Sequence, residues 1–199
     1  MRQYDKKNHI QRLNLLIEQR YINEREDEPM IDVSCAALAN IEINGRYLLF
    51  KEKQNFQPIG GGLKYLNSAL PFLEKIGFET DRTDKDIRIR IPISRWEVFK
   101  NWFESGKDRE ITIDREIDEE LRPYLGKEYT SKLITNNYEF KEVITNKNRI
   151  FQIHKIKFDE WVMNGIIRLV QNNEQFILAT PDEIKSKTNG ISDHSIYIL

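Results

Sequence analysis

The chain has 199 residues, enough for one domain with a sizeable core. Its 31 Lys and Arg stand against 32 Asp and Glu, so a net charge of −1 supplies no global pull toward nucleic acid or a membrane, and stable DNA binding is not expected. A single cysteine, Cys35, excludes an internal disulfide framework and suits a reducing compartment, and its small and apolar neighbours in VSCAALANIEI mark a core thiol rather than a nucleophile.

The first twenty residues, MRQYDKKNHIQRLNLLIEQR, are too charged for a secretory signal, and no apolar run approaches the roughly 18 residues of a membrane helix, so a soluble cytoplasmic protein is expected. Residues 5–22 place Ile10, Leu13, Leu16 and Ile17 at spacings of three and four, which predicts an amphipathic helix. The helix can pack back on the domain or against a second subunit, as in a homodimer, and the sequence leaves both open. The acidic stretch NEREDEP, closed by Pro29, follows as a linker, so residues 1–29 are expected to form an appendage and residues 30–199 the domain.

From Ile31 to Lys53 the chain is β-branched, aromatic and small, and IEINGRYLLFKEK sets Asn-Gly between two strand-like runs, the signal of a hairpin. NFQPIGGGLKY then reads as a loop without regular structure. Residues 67–78 predict a short helix or turn. DIRIRIPI alternates at period two, so Ile87, Ile89 and Ile91 should face a core while Arg88 and Arg90 face outward. SRWEVFKNWFESG carries Trp96, Phe99, Trp102 and Phe103 on one helical side and stops at Gly106; such a stripe is expected to be core rather than a base-stacking surface.

Downstream of RPYLG, which should break the preceding helix, YTSKLITNNYEFKEVI, RIFQIHKIKF and GIIRLV read as strands, TPDEIKSKT as a helix capped by Thr180, and SIYIL as a last strand or helix end. Interleaved strands and helices without internal repeats predict an α/β class with a mixed sheet. His154 and His194 lack a second His or Cys at ligand spacing, which argues against zinc. No nucleophile-elbow, P-loop or dinucleotide fingerprint is present.

The stretch REITIDREIDEEL, residues 109–121, carries the chemistry. On a helix Glu116, Glu119 and Glu120 occupy i, i+3 and i+4 and emerge on one face, where like charges cost a few tenths of a kcal/mol and call for a cation. Ile117 and Leu121 would bury the opposite side. A solvated face in a chain with 32% charged residues is the plain alternative.

Arg115, Glu116, Ile117, Glu119 and Glu120 occupy the R-E-U-x-E-E positions of the Nudix box, U being a bulky aliphatic residue. The first half of that box is opened: its earlier Glu and Gly positions hold Lys107 and Asn101, and its final Gly position holds Arg122. The segment from Pro58 to Leu121, with its glycine run, a strand ending in Ile-Pro, a Trp/Phe helix and then the acidic motif, is similar to the SMODS-associated Nudix family, with residues 67–106 as an insertion inside the box.

That resemblance implies a Nudix-like α/β/α sandwich with a mixed sheet, preceded here by the N-terminal helix, and a metal-dependent hydrolase of a diphosphate linkage in a nucleoside diphosphate derivative. It implies Mg²⁺ or Mn²⁺ held by Glu116, Glu119, Glu120 and the Gly62 carbonyl, with Glu119 or Glu120 in a catalytic role. Substrate phosphates would meet Gly60, Gly61, Gly62, Lys64, Arg88 and Arg90, while Arg115 or Arg109 holds the carboxylates by ion pairs. The family is linked by genomic association to bacterial nucleotide second-messenger systems in which a nucleotidyltransferase makes a signal upon phage infection, so a functional partner of that kind is implied. A module that binds a nucleotide signal without turnover is the alternative, because the box is interrupted.

Overall fold

A computed structural model describes residues 28–144 and 148–199, so the expected helix over 5–22 lies outside the described residues. The chain begins with β1 (Met30–Asn40), the strand on which the larger sheet is built. Residues Val33, Cys35, Ala37 and Ala39 alternate into one buried face, as a pleated strand with packed neighbours requires. Two short strands, β2 (Glu42–Ile43) and β3 (Arg46–Glu52), form the expected hairpin across Asn44 and Gly45, whose φ of 51° and 75° is the left-handed pair that Asn-Gly tolerates. Then come β4 (Asn55–Gln57) and β5 (Gly60–Gly62).

Chain order continues with α1 (Leu70–Lys75), β6 (Arg88–Pro92), α2 (Trp96–Glu104) and the acidic α3 (Asp114–Glu120). Short turns α4 (Arg122–Leu125) and α5 (Lys127–Thr130) lead to β7 (Ile134–Ile144) and β8 (Asn148–Lys157). Last are α6 (Glu160–Asn172), β9 (Phe176–Ala179), α7 (Pro181–Ser186) and a 3-10 segment, Asp193–Ile198.

β8 lies parallel to one edge of β1, with Ala36 opposite Phe151, and β7 pairs antiparallel beyond it. The other edge of β1 is shared end to end by two antiparallel strands, β6 over Met30 to Ser34 and β5 over Ala36 to Leu38. They part at Cys35, whose N–H donates to Ile87 O at 2.9 Å and whose carbonyl accepts from Leu63 N at 3.0 Å. A smaller sheet joins β2, β3 and β4, with β9 on the remaining edge of β3.

Helices cover both faces of the larger sheet, which is the α/β/α arrangement. On one side Phe99 of α2, Ile117 of α3, and Val162 and Ile166 of α6 join Val33, Cys35 and Ala37 in a single core. On the other, Ile184 of α7 and Ile198 of the final 3-10 segment pack on Leu38, Phe151 and Ile153. The Ile-Arg alternation behaves as expected: Ile87, Ile89 and Ile91 are buried and Arg88 and Arg90 exposed. The Trp/Phe stripe is core, with Phe99, Trp102 and Phe103 buried.

Three local readings are corrected. The glycine run is a strand, because Gly60–Gly62 pair antiparallel with Leu38, Ala37 and Ala36. GIIRLV belongs to helix α6: Asp159 caps it by accepting from Val162 N at 2.9 Å, and Val162 and Ile166 fall one helical turn apart on the buried side. RPYLG does not simply break the acidic helix; it adds the turn α4 before Gly126 at φ 83° ends the run. The strand β9 in QFILA was not anticipated, its four residues being too few to show a period.

Phe99 is fully buried among Trp96, Trp102 and Phe103. Phe99→Ala should therefore cost about 3–5 kcal/mol in chemical denaturation, the range for emptying a large aromatic site.

Candidate functional site

The site begins with the all-glycine β5, where close packing forbids side chains. A methyl group on Gly60 would lie 2.1 Å from Ala37 O; on Gly61, 2.6 Å from the Glu116 carboxylate; on Gly62, 3.0 Å from the Asp86 carboxylate. Bare backbone lets β1 and the carboxylates of Glu116 and Asp86 approach the same three residues. Gly60 N–H donates to Glu120 Oε2 at 3.0 Å, tying the strand to helix α3.

Helix α3 is oriented by its apolar side: Ile113, Ile117 and Leu121 follow at four-residue steps and are all buried. Glu116 and Glu120 thereby lie against the glycine strand, Glu116 buried and Glu120 half-buried, while Glu119 is exposed. The positive charge that the acidic face calls for is intramolecular. Arg115 Nη1 lies 2.7 Å from Glu116 Oε1 and 3.2 Å from Glu119 Oε2, its Nε donates to Glu110 Oε1 at 3.0 Å, and its Nη2 donates to Gly62 O at 2.7 Å.

Glu110 completes this arrangement. It takes two donors from Arg115, accepts from Lys64 N at 2.9 Å, and returns its own N–H to Lys64 O at 2.8 Å. The chain leaving the glycine strand is thus clamped to the segment entering α3. Glu110 stands outside the R-E-U-x-E-E motif, and only its place in a second Arg-Glu pair singled it out in sequence.

The Gly62 carbonyl, expected to face a metal, is the acceptor for Arg115. Arg109 takes a different place from Arg115. It is buried, its guanidinium stacks 3.8 Å from the Phe103 ring centre, and it donates to Phe103 O at 2.6 Å, Glu110 O at 2.5 Å and Gln152 Oε1 at 3.1 Å.

A cavity of about 1090 Å³ brings these residues together, with Gly60, Gly61, Gly62, Lys64, Arg88, Arg90, Arg115, Glu116, Glu119 and Glu120 all on its wall. Arg90 pairs with Glu79 at 3.1 Å, and Arg88 Nε lies 3.8 Å from Asp86. Sequence reasoning missed Asp86, Arg149 and His194, which also line it. Asp86 arrives at the fork between β5 and β6, Arg149 from β8 and His194 from the C-terminal 3-10 segment, so their proximity depends on topology rather than on any motif.

Burial holds two carboxyls of α3 above their ordinary range. Burial pushes the Glu120 carboxyl up to about 8, helped by the charges of Glu116, Glu52 and Glu119 and opposed by the Gly60 N–H. Burial also raises Glu116, against the pull of Arg115. Hydrogen bonding to Glu110, with the neighbouring carboxylates, holds the Arg115 proton more firmly than usual.

Among the described residues no three His, Cys, Asp or Glu side chains converge in a metal-ready group. Yet Glu116 Oε1 and Glu119 Oε2 already close on one cationic point, Arg115 Nη1, and these hard oxygens fit Mg²⁺ or Mn²⁺, which commonly takes one or two carboxylates plus substrate phosphates.

The Glu120 shift has a signed consequence. A carboxyl raised from 4.5 to about 8 binds more protons folded than unfolded, so its contribution to stability is complete below pH 4.5 and is lost as the pH climbs through 8. Glu120→Gln should therefore lose less of its Tm than the unsubstituted chain in melts taken between about pH 5 and pH 9. Gly61→Ala should displace Glu116 and destabilise the fold by about 1–3 kcal/mol in urea unfolding.

No helix among the described residues is long and apolar enough to cross a membrane. No curated protein matches the chain, and no solved structure does. A family model described as the SMODS-associated NUDIX domain matches residues 30–199. That match spans the strand fork, the glycine strand, helix α3 and the C-terminal segment alike, and the chain belongs to the SMODS-associated Nudix family.

Proposed function

We propose that this chain is a divalent-metal-dependent hydrolase of a diphosphate linkage in a nucleoside diphosphate derivative, acting within a bacterial nucleotide-signalling defence system. The observation that carries the chemistry is the pair Glu116 and Glu119, whose oxygens sit 2.7 and 3.2 Å from a single guanidinium nitrogen beside a bare glycine strand. The defence context rests on family membership alone.

In this reading Glu116 and Glu119 would hold Mg²⁺ or Mn²⁺, Glu119 being the exposed member. The chemistry such an ion supplies when bound is neutralisation of diphosphate oxygens and a lowered pKa for attacking water. Arg115, tied to Gly62 O and Glu110, keeps Glu116 against the glycines. Glu120 is the proton acceptor: burial raises its carboxyl to about 8, and the Gly60 N–H fixes Oε2 in place. The glycine backbone, lacking side chains, admits phosphate oxygens, with Lys64 nearby as a cation. Residues 30–199 form the Nudix domain, and residues 67–106 are an insertion that supplies β6 and α2 to it.

A second reading, a nucleotide-binding sensor without turnover, is favoured by one observation: Arg115 already satisfies Glu116 and Glu119, while Lys107 stands where the box carries its first acid.

Incubation with a panel of nucleoside diphosphate derivatives, with and without Mg²⁺, separates the two. The hydrolase reading expects Mg²⁺-dependent cleavage that Glu119→Gln and Glu120→Gln each lower by roughly 10²-fold or more, with circular dichroism unchanged for the exposed Glu119. Tight, metal-independent binding with no cleavage, unaffected by Glu119→Gln, would establish the sensor instead.

A further inference from the structure

The larger sheet carries a feature that the acidic helix does not use. β6, β1 and β8 run side by side in register, with Arg88 opposite Ser34 and Ser34 opposite Arg149. Residues level with one another on adjacent strands point to the same face, so two guanidinium groups flank one hydroxyl in a single row, their backbones roughly 10 Å apart at two strand spacings. The next such row holds Gly62, Ala36 and Phe151, again in register, and connects this patch to the glycine strand. All six residues line the same cavity.

The two arginines are not spent on structure. Arg149 makes no ion pair among the described residues; its Nη1 lies 2.7 Å from His194 Nε2, a contact that requires the imidazole to be neutral and to accept. Burial, with the Arg149 charge, lowers the pKa of His194 and keeps it in that state. His194 is in turn fixed beside Phe151, ring centres 5.3 Å apart, and Phe151 stacks on Tyr197 at 4.7 Å. Arg149 is therefore oriented by a neutral partner and retains its full charge. Arg88 is 56% exposed, and its nearest acid, Asp86, is 3.8 Å away and already bound by Arg82 at 3.0 Å. Asp32, the other acid on this stretch of β1, is level with Arg90 and not with the Arg88 row.

The cavity is also larger than a single diphosphate needs. At about 1090 Å³ it lies just above the roughly 300–1,000 Å³ usual for small-molecule sites.

We propose that Arg88, Ser34 and Arg149 form a second anion subsite, which selects ligands bearing a phosphoryl group remote from the diphosphate that lies on the glycine strand. The inference rests on the diphosphate reading for the first subsite and extends it to the substrate class: a nucleoside diphosphate derivative that carries a further phosphate away from the diphosphate.

The test compares ligands that differ only in such a phosphate, NADP⁺ with NAD⁺ and coenzyme A with dephospho-coenzyme A, by calorimetry on the full chain carrying Glu119→Gln so that nothing is consumed. The phosphorylated member of at least one pair should bind roughly tenfold tighter. Arg149→Gln and Arg88→Gln should each erase that preference and leave the other member within about twofold, while Arg149→Lys keeps part of it. Because Arg88 is exposed, its variant reports on binding even if Arg149→Gln lowers the melting temperature. Equal affinity within both pairs, absence of binding by all four, or equal weakening of both members by the variants would overturn the subsite. Cleavage is read separately on the unsubstituted chain: a retained phosphate preference without Mg²⁺-dependent turnover removes the hydrolase reading and leaves the subsite standing.

Discussion

A single guanidinium organises the centre of this protein. Arg115 reaches a backbone carbonyl on β5, two carboxylates on its own helix and a third on the segment before it, so three pieces of chain are bound by one planar cation. Arginine suits the task because its donors point in fixed directions and its charge does not titrate in the physiological range. Lysine would offer one point charge to three acids and could not span them. The acids would repel one another without it, and Glu120, which Arg115 does not touch, is raised by its burial and further by the charges of its neighbours.

The glycine strand is the counterpart of that cation. A strand is normally stabilised by its side chains, and β5 has none; what holds it is the ladder to β1, the Glu120 contact and the Arg115 contact. Absence of side chains is what admits Glu116 and Asp86 to the backbone. Where β5 gives way to β6 at Cys35, the sheet edge splits, and the opening exposes both the carboxylates of α3 and the arginines of β6 to one cavity. Two kinds of surface, one acidic and one basic, thus meet at a fork in a single sheet.

Legibility in the sequence followed side-chain periodicity. The Asn-Gly hairpin, the Ile-Arg alternation of β6, the Trp/Phe side of α2 and the buried spacing of Ile117 and Leu121 were readable because each is a local rule acting on neighbours. The acidic face of α3 and the glycine run stood out as a candidate site through the motif they resemble. The glycine strand itself was not, since a period needs side chains to carry it. GIIRLV misled because a short apolar run fits either element, and the Asp159 cap that decides for a helix lies outside it. Arg109 could not be separated from Arg115 by composition: both precede a glutamate, but one meets carbonyls and an aromatic ring in the core. Arg149 and His194 are remote in the chain from each other and from Ser34 and Arg88.

The parallel pairing of β1 with β8 has a kinetic corollary. Ala36 and Phe151 come from opposite ends of the domain, and every residue of the acidic helix lies in the chain between them. Contacts so distant in sequence carry a large loop-closure cost and form late in folding, so β5, α1 and α2 can assemble locally while the β8 side of the cavity is still absent. A nascent chain emerging from the ribosome would therefore expose its glutamates and glycines well before it could enclose a ligand.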